Sequence, residues 1–196
     1  MTNYSLIADN ELVSLFCAGQ NEAFDELLLR YKDKLYSYIV CIVKNNDVAD
    51  DIFQETFIKA IITLKQGRYY EGGKFYAWLT RIAHNLIIDQ FRTESNITVV
   101  YQNEKEDEWN NISFLTVQTR ETELTKEQIL KDVRHLMDEL PAPQREVVFM
   151  RYYQGLSFKE ITDITGVSIN TALGRMRYGI LNMRKMAKER GITLCV

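Results

Sequence analysis

The chain has little of what would mark a secreted, membrane-spanning or metal-bound protein. Its three cysteines, Cys17, Cys41 and Cys195, are odd in number, lie far apart and form no CxxC pair. Neither a disulfide framework nor a zinc site is indicated, and buried thiols are expected. No stretch approaches the roughly 18 consecutive apolar residues that a membrane span requires. The first residues, with Asp9 and Glu11, lack the basic region and apolar core of a signal peptide, so a cytoplasmic protein is expected. Histidine is as scarce, and His84 and His135 stand isolated in the sequence. The adjacent pair Asp50 and Asp51 would be splayed by about 100° on a helix. No nucleophile or metal cluster emerges, so no catalytic site, metal or cofactor is expected.

The charge is unevenly spread. The net charge is −3, yet residues 1–95 carry −3, residues 96–128 carry −4 and residues 129–196 carry +4. Within 168–190, six basic residues face Glu189 alone, the footprint expected of a surface that meets a phosphate backbone. A solvated helix face would explain the same charges. An acidic chain with one basic end would hold DNA weakly by itself, which points to help from a partner.

Helical periodicity runs through most of the sequence. Phe24, Leu28, Tyr31, Leu35, Ile39 and Ile42 repeat at three and four residues, as do Phe53, Phe57, Ala60 and Leu64, and then Phe75, Leu79, Ile82 and Leu86. Each set reads as the apolar face of an amphipathic helix. No alternating strand pattern of comparable length competes with them in the first 95 residues. The period fades over 96–123, where Asn103, Asn110, Asn111 and the acidic run 104–108 gather, so this stretch reads as a linker. Helices then resume. The chain's two prolines, Pro141 and Pro143, follow a helix ending near Leu140, and Pro143 suits the first turn of the next one.

A helix-turn-helix follows. Ser157 is placed to cap a helix over 158–165, with Glu160 three residues on completing a capping box, and Gly166 suits a left-handed turn. Ser168 opens a second helix. Ile169, Leu173, Met176, Ile180 and Met183 read as its packed stripe. Thr171, Gly174, Tyr178, Asn182 and Lys185 lie opposite, with Asn170, Arg175 and Arg177 on the flanks. Such a layout suits a recognition helix entering a major groove.

A second constellation lies in the first half. Trp78, Arg81, Asn85 and Arg92 fall on one narrow helical stripe, preceded by a loop with Gly67, Arg68, Tyr69, Tyr70, Glu71, Gly72, Gly73 and Lys74. Rings, cations and an amide on one face suit unpaired nucleic acid, whose bases stack on aromatic side chains. Trp78 alone could equally be a widening of the core.

These residues carry a family resemblance. The run DDIFQETFIKA at 50–60 and the run FYAWLTRIAHNL at 75–86, with Asp89 and Arg92, resemble region 2 of the extracytoplasmic-function sigma factors, in the sigma-70 family. The runs LPAPQREVV at 140–148 and YYQGLS at 152–157, with the helix-turn-helix after them, resemble region 4 of the same family. The resemblance covers about 11–94 and 124–187, in the family's order. Leu173 stands where the family often has a basic residue and Gly174 where a small polar one is usual, departures that bear on which promoter is read.

The resemblance implies an all-α protein with two small helical domains, 11–95 and 124–190, joined by a flexible linker over 96–123. It implies binding of core RNA polymerase through Asp47, Asp50, Asp51, Gln54 and Glu55, although capping and dipole compensation would account for one or two of these acids. It implies capture of melted −10 promoter DNA by Arg68, Tyr69, Tyr70, Lys74, Trp78, Arg81, Asn85 and Arg92. Readout of the −35 element would fall to Ser168, Asn170, Thr171, Gly174, Arg175, Arg177, Tyr178 and Lys185. An anti-sigma regulator is implied only at the level of the family. The 28 residues of 96–123 could extend to about 95 Å, whereas promoter elements about 20 base pairs apart are separated by roughly 70 Å, so one chain can reach both.

Other readings differ in testable ways. A free-standing helix-turn-helix regulator would bind duplex autonomously and would need a dimerisation or sensing domain, whereas 11–95 presents an acidic helix and a base-stacking face. A small recombinase or nuclease would need the catalytic cluster that is missing. A purely structural interaction protein gives no reason for the polar recognition face.

Overall fold

The computed structural model describes residues 3–69, 74–97 and 120–192. Eight α-helices occur among these residues, with no strand. The N-terminal group comprises α1 (Asp9–Cys17), α2 (Asn21–Val43), α3 (Asn46–Lys65) and α4 (Phe75–Ile97), and the C-terminal group α5 (Arg120–Asp138), α6 (Ala142–Val148), α7 (Phe158–Thr165) and α8 (Ile169–Glu189). Helix thus reaches into both ends of the stretch expected as linker, and 98–119 lies outside the described residues.

α2, α3 and α4 form where the apolar repeats predict them, α1 was marked by no such repeat, and local chemistry sets the helix ends. Asn45 caps α3 by accepting from the Val48 N–H. Gly166 closes α7 at φ 69°, a left-handed conformation that costs a Cβ-free residue little. Lys44 ends α2 in the same region at φ 53°, and its ammonium donates to the Asp138 carbonyl at 2.7 Å. Arg30 organises the N-terminal segment: its guanidinium meets Asp9 and Glu26 at 2.9 Å each and donates to the carbonyls of Tyr4 and Ser5.

The core of the first group lies among Leu12, Phe16, Phe24, Leu27, Leu35, Phe57, Leu64, Phe75 and Leu79, all buried. It continues into the second group through Val147, Phe149, Met150, Ile161, Ile164 and Ala172. This junction explains where burial exceeds the sequence expectation. On α4 the buried set adds Tyr76, Thr80, Ala83, His84 and Ile87, one helix face round from the anticipated Phe75, Leu79, Ile82 and Leu86, of which Ile82 is only half-buried, because α4 packs on both α3 and α7. Residues 38–42 of α2 are all buried, since α6 covers the side that the N-terminal bundle leaves open.

Polar groups join the two halves. Tyr38, His84 and Glu146 are buried together: the Tyr38 hydroxyl donates to Glu146 Oε1 at 2.7 Å, and His84 Nδ1 lies 2.8 Å from the same atom. His84 is therefore not isolated, as its sequence position suggested, because its partner stands 62 positions away. After α6 the backbone widens into one π-helical turn, Phe149–Tyr153, which carries Phe149 to within 6.3 Å of the Tyr38 ring and 4.6 Å of Tyr153.

Candidate polymerase and nucleic-acid interfaces

Three exposed faces can be built from the residues upward. The first runs along α3. Asp47, Asp50, Asp51, Gln54 and Glu55 are all exposed. Because Asn45 takes the capping role and only Asp47 falls among the acids of the first turn, the other acids are not needed to begin the helix. Burial, together with Asp50 and Asp47 nearby, pushes the Tyr36 phenol up to about 12, so it stays a neutral neighbour of this face. Asp51, Glu55 and Asp89 line a shallow cleft of about 260 Å³ between α3 and α4, moderated by the Glu55–Lys59 pair at 2.9 Å. Two apolar residues missed in the sequence extend this face: Ile58 and Ile62 are 56% and 47% exposed, one and two turns beyond Gln54. Neither belongs to the apolar stripe Phe53, Phe57, Ala60 and Leu64, and their exposure shows only in the fold.

The second face joins α4 to the end of α3. Arg81, Asn85 and Arg92 are exposed and Trp78 is half-buried, on the side of α4 turned away from the core. Arg68 and Asn85, 17 positions apart in sequence, meet in the lining of a cleft of about 380 Å³ with Lys59, Thr63, Gln66 and Ile82. Lys59, Thr63 and Gln66 had no sequence signal beyond helix surface. Tyr69 and Trp78 form a T-shaped pair with ring centroids 4.8 Å apart, so Trp78 packs on the core while staying partly exposed. Lys74 behaves differently: its ammonium lies 3.3 Å from Glu160 of α7, tying it to the other half. Arg92 lies 3.4 Å from Asp89, both well exposed, a geometry worth little in water. Tyr70 lies outside the described residues.

The third face is the helix-turn-helix. Ser157 and Glu160 form the reciprocal capping box, with the Glu160 N–H donating to Ser157 Oγ at 3.2 Å and the Ser157 N–H to Glu160 Oε2 at 2.8 Å. Ser168 caps α8 by accepting from the Thr171 N–H at 3.2 Å, and the two hydroxyls lie 2.9 Å apart, so both residues hold the helix start as well as facing outward. Asn170, Arg177, Tyr178 and Lys185 are exposed, whereas Gly174 and Arg175 are half-buried. The packed stripe is rotated from the expected one. Ala172, Gly179, Met183 and Ala187 are buried, Ile169 and Leu173 are exposed, and Asn182 is half-buried, donating to Gln144 Oε1 at 2.9 Å. The reason is steric: α8 crosses α6 at Gly179, where a Cβ would meet Val148 Cγ2 at 2.8 Å, and that close approach sets the helix rotation.

Among the described residues no group of three or more His, Cys, Asp and Glu side chains could hold a metal ion. No helix among them is long and apolar enough to cross a membrane.

An all-α chain in which a capped helix-turn-helix with a cationic outer face packs against a bundle bearing an acidic face has the layout of a DNA-binding protein that works with a partner. Comparison with known proteins specifies the class. The Sigma-70 region 2 family matches residues 27–97 and the Sigma-70, region 4 family matches 130–172. The chain is 28% identical over 172 residues to RNA polymerase sigma-H factor of Pseudomonas aeruginosa, covering 86% of this chain and 88% of that one. It is 27% identical over 179 residues to ECF RNA polymerase sigma factor SigW of Bacillus subtilis, covering 87% and 92%. In fold it resembles CnrH, solved in complex with the cytosolic domain of CnrY, at a TM-score of 0.64 and 22% identity over 93% of this chain and 99% of that one. It also resembles the sigma factor RpoE of Bartonella quintana, solved with the anti-sigma factor NepR, at a TM-score of 0.62 and 21% identity over 84% and 96%. The chain belongs to the extracytoplasmic-function sigma factors of the sigma-70 family, the subunits that direct RNA polymerase to promoters.

Proposed function

We infer that this chain binds core RNA polymerase chiefly through the α3 face, reads an upstream duplex element with α8 and captures the melted strand on the cleft between α3 and α4. The observation that carries this division of labour is that one chain exposes an acidic face on α3, a cleft lined by Arg68 and Asn85 that meets that face at Lys59, and a cationic face on α8. An acidic surface steers a basic partner and gives little attraction to DNA. A capped, cationic helix suits the major groove. A cleft with Arg68, Asn85 and Lys59 beside the Tyr69–Trp78 pair offers hydrogen-bonding groups and π surface to an unstacked base. The working domains are 11–95 and 124–190, with 96–123 connecting them. The protein acts in the cytoplasm and performs no bond-making chemistry of its own, because polymerase supplies the catalysis. An anti-sigma regulator is part of this reading.

The test is run-off transcription with purified core polymerase on promoter fragments selected by the reconstituted enzyme. Transcripts that start at one position only when this chain is present are expected. Duplex binding of equal strength and specificity with and without core would instead mark an autonomous regulator.

A further inference from the structure

The exposed apolar residues at the start of α8 have no covering partner among the described residues, yet they sit where a recognition helix meets bases. Ile169 is 53% and Leu173 44% exposed, one turn apart, while the same helix buries Ala172, Gly179, Met183 and Ala187 on α6 and its neighbours. Asn170 and Arg177, both exposed, flank Leu173 three residues before and four after it, so an apolar patch is set between an amide and a guanidinium. In the major groove an apolar side chain has one feature of base identity to contact, the 5-methyl group of thymine, whereas amide and guanidinium groups match adenine and guanine edges. The surrounding charge favours the same occupant: Arg177, Arg184 and Lys185 are exposed on this helix, which suits a polyanion and disfavours a basic protein surface.

We propose that Leu173, with Ile169 beside it, is a specificity-determining residue that reads the methyl group of a thymine in the upstream promoter element. This rests on the reading of α8 as the duplex reader and adds the base it selects. Burying one methyl group corresponds to roughly a three- to fivefold change in affinity. Because Leu173 is exposed, replacing it leaves the α6–α8 packing intact.

Holoenzyme reconstituted from core polymerase and the full chain is used to select duplexes from a library randomised upstream of the start site. The enriched duplex is then resynthesised with deoxyuridine replacing each thymine in turn, which removes only the methyl group. Wild-type holoenzyme should lose roughly three- to fivefold in affinity at one or two thymines and nothing at the rest. The Leu173→Ala holoenzyme should bind the thymine duplex more weakly and show no further loss with deoxyuridine at those positions, while Leu173→Met should retain the sensitivity. Insensitivity of the wild type to every deoxyuridine, or undiminished sensitivity in Leu173→Ala, would overturn the proposal. The underlying reading fails separately: if no sequence is enriched, or if Arg177→Ala enriches the same site with the same affinity, α8 is not the reader at all.

Discussion

The phenol of Tyr38 on α2 donates a 2.7 Å hydrogen bond to Glu146 on α6, a partner 108 positions away. Both residues are buried, and His84 of α4 shares the same carboxylate oxygen. A buried carboxylate is tolerated when it is paired and hydrogen-bonded, and its partners are left orphaned if it is removed. Glu146→Ala should lower stability by about 3 kcal/mol in chemical denaturation, and Glu146→Gln, which keeps an acceptor oxygen, by less. Equal losses for both variants would show that the contact contributes packing alone.

Two glycines in α8 should respond in opposite senses. At Gly179 an added Cβ would lie 2.8 Å from Val148 Cγ2, whereas at Gly174 nothing lies within 4 Å. Gly179→Ala should destabilise by about 1–3 kcal/mol through overpacking, and Gly174→Ala should stabilise by about 0.5–1 kcal/mol through reduced backbone entropy. Thermal melting of the two variants checks both signs.

The capping box of α7 should confer acid sensitivity. Burial alone would raise the Glu160 carboxyl, but the Ser157 hydroxyl, the Ser157 N–H and the Lys74 ammonium together hold it below the ordinary value of 4.5. A depressed carboxylate contributes stability that is fully present above its unfolded value and is lost as pH falls through the folded one. The contribution should therefore be constant at neutral pH and disappear below about pH 4.5. A stability–pH curve for Glu160→Gln should be lower than wild type at neutral pH and converge with it in acid. Parallel curves would rule out this assignment.

Charge reversal on α3 should separate polymerase binding from folding. Asp51 and Glu55 are exposed, so Asp51→Lys with Glu55→Lys should leave the helical circular dichroism and melting temperature close to wild type, while weakening association with core polymerase most at low salt. Undiminished co-purification with core would remove the acidic face from the interface.

Strand capture should depend on the cleft that joins Arg68 to Asn85 and on the Tyr69 ring. Alanine at Tyr69 or Asn85 should spare core binding and upstream duplex recognition and should reduce open-complex formation, with a lost stacking ring costing about 1–3 kcal/mol per base. Permanganate reactivity of promoter thymines measures this directly, and a pre-melted bubble should restore part of the transcription. Normal reactivity in both variants would make this an ordinary helix surface.

Much of the architecture was legible because it is local. Helical repeats, the Ser157–Glu160 box, the Gly166 turn and the Ser168 cap depend on residues within four positions of each other, a distance over which sequence spacing becomes spatial spacing. The acidic run of α3 and the stripe from Trp78 to Arg92 were legible for the same reason, since one helix carries each of them to a single face. What α8 buries was not local. Its stripe reads from the sequence as centred on Leu173, whereas the close approach of Val148 to Gly179 buries Ala172 instead and turns Leu173 outward. The meeting of Tyr38, His84 and Glu146, the pairing of Lys74 with Glu160 and the joining of Arg68 to Asn85 likewise belong to the packing of helices distant in sequence. A polar residue carries no mark of the neighbour it will find, so its role was decided only when tertiary structure brought the two together.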